Sequence, residues 1–213
     1  MSKAKIIEIV LFKTNEGVNP EEFKVEMTKY NDFLKSCDGF LSRKIGVSID
    51  GQYLDIMHFA DLNSCNACAE KFMHDADLMA FQVGVMDKKI NQNSVYSQRF
   101  EVFNDISVEA SKATVADICL MRPKKGVKTE TFETEMIKFN ENLAEYKGLI
   151  ARKNGVSADG QYFELAYWTG LDAFELANET VVQVEGAEIE SFFDMTDEEA
   201  EITNQFEIFS SIN

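Results

Sequence analysis

The chain has 213 residues, 45% of them hydrophobic and 17 of them Phe, which is enough apolar material for one large core or two small ones. Its formal net charge of -16 repels phosphate backbones and anionic membrane surfaces, so neither nucleic acid nor a membrane is an expected partner. Four cysteines fall short of a disulfide scaffold, no apolar run approaches the roughly 18 residues of a bilayer span, and Met1 to Lys5 carry no signal-peptide core, so a cytoplasmic protein with reduced thiols is expected.

In chain order, Ile6 to Phe12 is a β-branched apolar run that reads as a strand. Asn19, Pro20 and Glu22 then supply an N-cap, a proline at the first helical position and an acid at the third. Phe23, Met27, Tyr30 and Leu34 follow at helical spacing, and Gly39 ends that segment. Phe40 to Ile49 and Gln52 to Ala60 read as two strands joined by Asp50-Gly51, a pair suited to a two-residue type I′ hairpin. A second helix is expected from about Leu62 towards Met86, broken near His74-Asp75, before a last strand from Val95 to Phe103.

The pattern then repeats. Residues 39–53 (GFLSRKIGVSIDGQY) and 148–162 (GLIARKNGVSADGQY) agree at ten of fifteen positions with a constant offset of 109. The same offset pairs Phe23 with Phe132, Met27 with Met136, Asn31 with Asn140 and Leu34 with Leu143. After a three-residue contraction, the stretch from Gln98 to Phe103 matches that from Asn204 to Phe209. The chain is therefore a tandem duplication of a β-α-β-β-α-β unit, the ferredoxin-like split motif. Repeat 1 is expected over residues 1–104, a linker over 105–113 and repeat 2 over 114–213. Helices on one face of each antiparallel sheet leave the other face bare, so the two sheets are expected to pack face to face as a single-chain α/β barrel.

Those hairpin residues, the aromatics that close the third strands (Phe59, Trp168) and the Ala-rich second helix (Ala67, Ala69, Glu70) resemble the antibiotic-biosynthesis-monooxygenase-like domain of the dimeric α/β-barrel superfamily. The likeness covers nearly the whole chain, twice. It implies an oxidoreductase fold whose relatives include cofactor-free oxygenases of aromatic compounds and haem-degrading enzymes. The haem-degrading branch is similar in carrying a strand Asn and a helical Trp and His. Val10 and Cys119 stand near the Asn position, Cys68 and Ala177 near the Trp, and His74 lies about a turn early. No cofactor and no metal is therefore expected.

With a two-residue turn, Arg43 would face His58 and Lys44 would face Met57. Leu41, Arg43, Ile45, Leu54, Ile56 and His58 would then pack under the helices. Tyr53, Asp55, Met57 and Phe59 would point into the barrel, as would Tyr162, Glu164 and Trp168 of the second copy. Two pockets follow. One lies under the helices with Arg43-His58 and Arg152-Tyr167 at its end, and suits a small apolar ligand with a polar handle. The other holds Glu8, Asp117, Asp55 and Glu164, with Lys44 and Lys153 as their partners. Each set also fits a purely structural role, as hydrogen-bonded or ion-paired groups. Cys65-x-x-Cys68 reads as packing, because Phe174 and Ala177 fill its place in repeat 2.

The working expectation is a protein that binds a small apolar or aromatic molecule, with His58 and Asp55 as catalytic candidates. Arg43, Tyr53, Phe59, Arg152, Glu164, Tyr167 and Trp168 are its ligand-binding candidates. A general base would abstract a proton from a phenol or enol. A non-catalytic binding or stress-response module stays open, as does association of two such pseudo-dimers.

Overall fold

The structure is a computed structural model that describes residues 4–107, 112–143, 146–184 and 191–213. Two compact units emerge, Met1–Glu101 with Ile208–Asn213, and Val102–Glu207. Part of the expected linker, residues 108–111, lies outside the described residues.

The first unit opens with β1 (Ile6–Lys13), then α1 (Pro20–Thr28), α2 (Asn31–Lys35), β2 (Phe40–Val47) and β3 (Gln52–Phe59). It continues through α3 (Leu62–His74), α4 (Ala76–Phe81), a π-helical turn over Gln82–Met86, α5 (Asp87–Lys89) and β4 (Tyr96–Ser107). The second unit repeats the theme with β5 (Val115–Met121), α6 (Thr129–Leu143), β6 (Leu149–Ser157), β7 (Tyr162–Trp168), α7 (Leu171–Val184) and β8 (Ile202–Ile212). The hydrogen-bonded strand order is β1-β3-β2-β8-β5-β7-β6-β4, a closed barrel. Strand β4 begins in the first unit and ends in the second, and β8 does the reverse.

Local chemistry accounts for the element ends. Asn19 caps α1 by accepting from the backbone N–H groups of Glu21 and Glu22, with Pro20 as the first helical residue. Asp75 takes an extended conformation that ends α3, and its carboxylate caps α4. The break expected near His74-Asp75 is thus present. The first repeat's leading helix also breaks at Lys29-Tyr30, whereas α6 runs on without interruption.

The hairpin differs from its reading in sequence, and the difference has consequences. Ser48 N–H donates to Gln52 O at 2.8 Å and Gly51 N–H donates to Ser48 O at 3.1 Å. The loop therefore holds three residues, a type I turn closed by Gly51 at φ 78°, while Asp50 keeps negative φ. The second hairpin does the same around Gly160. One extra residue shifts the register by one, and a one-residue shift exchanges the sheet faces. Arg43 pairs with Met57 and Ser42 with His58. Arg43, Ile45, Tyr53, Asp55, Met57 and Phe59 accordingly lie under the helices. His58 turns to the opposite face with Leu54 and Ile56.

Under the helices of the first unit, Ile6, Leu34, Met57, Phe59, Cys65 and Cys68 form one apolar cluster. Phe12, Phe23, Met27, Ile45 and Tyr53 form another. Cys37, beyond α2, is disulfide-bonded to Cys68 on α3 with their Cα atoms 5.4 Å apart, which corrects the expectation of reduced thiols. Tyr146 and Ala177 occupy those positions in the second repeat, so the crosslink belongs to the first alone.

Candidate functional site

Each unit holds a cavity between its sheet and its helices. The first measures about 380 Å³ and the second about 230 Å³. Their walls are built from equivalent positions, and their chemistry differs.

In the first cavity the floor is Arg43, 1% exposed, on β2. Its Nε donates to Asp55 Oδ1 at 2.8 Å and its Nη2 to Asp55 Oδ2 at 2.5 Å, a bidentate pair. Nη1 donates to Met27 O and Asn31 Oδ1 at 2.9 and 2.8 Å, and the guanidinium lies 5.1 Å from the Tyr30 ring. Both oxygens of Asp55 thus accept from Arg43. Glu8, across the sheet on β1, meets Arg99 Nε at 3.3 Å and accepts from the Cys65 thiol at 3.8 Å. Burial, with Glu8 beside it, pushes that thiol up to about 11, which keeps it protonated and unreactive. Burial likewise raises the Tyr30 phenol above its ordinary range. Two arginines here face two carboxylates, and every charge has its partner.

The second cavity begins alike. Buried Arg152 pairs with Glu164 Oε1, bonds Asn140 and sits 4.8 Å from the Phe139 ring. The balance then fails. Gln205 on β8 stands opposite Asp117, where Arg99 on β4 stands opposite Glu8. Asp117 Oδ1 and Glu164 Oε2 are buried with no hydrogen-bond partner. Burial, then the neighbouring Glu164 charge, pushes Asp117 up to about 7 against the opposing pull of Arg152 and a hydrogen bond with Gln205. Burial also raises Glu164. The wall adds Trp168, 3% exposed, whose Nε1–H has no acceptor.

The candidates from sequence divide accordingly. Arg43, Asp55 and Phe59 line the first cavity, and Arg152, Glu164 and Trp168 line the second. Tyr53 packs instead, stacked on Phe12 at 5.4 Å and edge-on to Phe23 at 5.0 Å. His58 and Tyr167 are buried on the sheet faces away from both cavities, and burial raises the Tyr167 phenol. The expected lysine partners are elsewhere too. Lys44 Nζ donates to Ser211 Oγ at 3.0 Å, and Lys153 pairs with Asp105 at 2.5 Å. Gln205 and Glu201 escaped the reading in sequence, although the repeat alignment sets Gln205 against Arg99 and so contained the signal.

Neither cavity presents a histidine in its described walls, and His74 is exposed on α3. The residues present do not fit axial haem ligation through an imidazole. Among the described residues no group of three His, Cys, Asp or Glu side chains could hold a metal ion.

This layout, two split βαβ units in a closed eight-stranded barrel, defines a single-chain dimeric α/β barrel. The solved structures it matches include a candidate monooxygenase from Lactobacillus acidophilus, at 13% identity and TM-score 0.71, over 99% of this chain and 97% of that one. A second candidate monooxygenase, from Fusobacterium nucleatum, matches at 11% identity and TM-score 0.69 over 100% and 96%. An anthrone oxidase-like protein matches at 12% identity and TM-score 0.68 over 99% and 93%. No family model and no curated protein matches the chain. These likenesses establish the fold; the chemistry has to come from the site.

Proposed function

We propose that the protein binds a small aromatic or enolisable molecule and oxygenates it without a cofactor, using Asp117 of the second repeat as the general base. The observation that carries this reading is the pair Asp117 and Glu164, two buried carboxyls in an aromatic-walled cavity, each with an oxygen that no side chain occupies. A base works best when its pKa lies near the operating pH, and Asp117 sits at about 7. Its free Oδ1 takes the acidic proton of the substrate. The resulting carbanion passes electrons to dioxygen and forms a C–O bond. Loss of the second proton then breaks the O–O bond, so that a CH₂ group and O₂ become a carbonyl and water. The protein contributes the base and a cavity with aromatic walls, and the substrate is the reductant. The monooxygenase-like and anthrone oxidase-like neighbours support the same reaction class.

The first cavity is larger, and its charged groups are paired with one another, so it binds without performing chemistry. Incubating the protein with a panel of phenols and cyclic ketones in an oxygen electrode tests the proposal. Uptake of one O₂ per carbonyl formed, unaffected by chelator, is the expected result. No uptake with any member of the panel would overturn it.

A further inference from the structure

Proton abstraction in the second cavity raises a question of charge. A neutral substrate that gives its proton to Asp117 becomes an anion beside Glu164 and Glu201. Among the described lining residues Arg152 is the one cation, and it is already bonded to Glu164 and Asn140. A developing anion therefore finds no free positive group.

The two repeats show how this imbalance arose. Glu201 stands where the first repeat has Val95, Gln205 where it has Arg99, and Asn178 where it has Ala69. Two of these three differences alter charge, so that a single arginine faces three carboxyls where the first cavity is balanced. Four aromatic side chains share the same wall. Phe139, Trp168, Phe174 and Phe193 line it, and aromatic faces attract cations. Besides Asp117 Oδ1, two buried groups remain unmatched, an acceptor at Glu164 Oε2 and a donor at Trp168 Nε1, on residues 8% and 3% exposed. Unmatched buried groups of opposite kind mark where a ligand would supply the missing partners.

We propose that the ligand of the second cavity is a small organic cation, a protonated amine on an aromatic or enolisable skeleton that also bears an oxygen. The ammonium donates to Glu164 Oε2 and lies against the aromatic walls, while the ligand oxygen accepts from Trp168 Nε1–H. This deepens the function proposed above and rests on it only for the fate of the bound molecule. The positive nitrogen also answers the question of charge, because proton abstraction then yields a zwitterion rather than a bare anion.

Trp168 is the single tryptophan of the chain, so its fluorescence reports on this cavity and no other. Anaerobic titration with tyramine, its neutral alcohol analogue tyrosol and the acid 4-hydroxyphenylacetate compares three ligands of nearly one shape. The expected order is amine first by at least tenfold over the alcohol, with the acid weakest. Glu201→Gln, on a partly exposed side chain, should reduce amine affinity at least threefold and leave the alcohol unchanged. Glu164→Gln should narrow the preference further. Equal or tighter binding of the alcohol or the acid, or no binding of any of the three, would overturn the proposal. Amine binding without later oxygen uptake would remove the oxygenase reading and leave this one standing. Uptake with a neutral substrate bound as tightly as the amine would do the opposite.

Discussion

Gln205 occupies in the second repeat the place that Arg99 holds in the first, opposite a strand carboxylate in each case. Arg99 gives Glu8 a guanidinium at 3.3 Å, whereas Gln205 gives Asp117 only an amide. A buried carboxyl without a cation keeps its proton to higher pH, because burial penalises the charged form. One substitution between the repeats thus leaves Asp117 without the guanidinium that Glu8 has across the strand pair.

The raised Asp117 sets a pH dependence of stability. Its folded pKa of about 7 lies above the ordinary 3.8, so its stabilising share is complete below about pH 4 and is lost as pH rises towards 7. Across that window the loss is on the order of 1.4 kcal/mol per pH unit. Asp117→Asn mimics the neutral acid. Urea unfolding should show the variant more stable than the parent at pH 8, with the gap closing by pH 4. A constant gap would place the titration on another group.

The Cys37–Cys68 disulfide closes a loop with a sequence separation of 31. Loop-closure entropy for such a span corresponds to about 4 kcal/mol of stability. Unfolding with and without dithiothreitol should reveal a loss of that order, and Cys37→Ala should remove the sensitivity to reductant. Because the second repeat has no such crosslink, the drop should register in probes of the first repeat.

Two glycines at similar φ should respond differently to alanine. Gly51, at φ 78°, has nothing within 4 Å of a Cβ built on it, so Gly51→Ala pays only backbone strain, about 1–2 kcal/mol. At Gly39, φ 75°, a Cβ would stand 2.5 Å from Ser64 Cβ at the start of α3. Gly39→Ala should therefore cost about 1–3 kcal/mol more than Gly51→Ala, through overpacking. Denaturation midpoints of the two variants give the comparison directly.

The duplication, the helix starts and the break at Asp75 were legible in the sequence, since each rests on local signals such as Asn19-Pro20 and the offset of 109. The sheet faces were not. An Asp-Gly pair serves a two-residue turn and also the end of a three-residue one, and only the Ser48–Gln52 hydrogen bond distinguishes them. That one residue moved Asp55 under the helices and His58 away from them. Glu8 and Asp117 were recognisable as equivalent mid-strand acids, but the pairing state of each depends on β4 and β8, about ninety residues further on. The partnership of Cys37 with Cys68 was equally hidden, because spacing alone does not choose among four thiols.

The pH dependence of oxygen uptake in the parent protein and in Gln205→Arg tests the role of Asp117 as the base. A base acts deprotonated, so the rate should rise with pH through an apparent pKa of about 7 and then level off. Supplying the guanidinium that the first repeat already has should hold Asp117 ionised and move that limb to lower pH. A limb that stays in place when Gln205 becomes arginine would contradict the assignment of Asp117 as the working base.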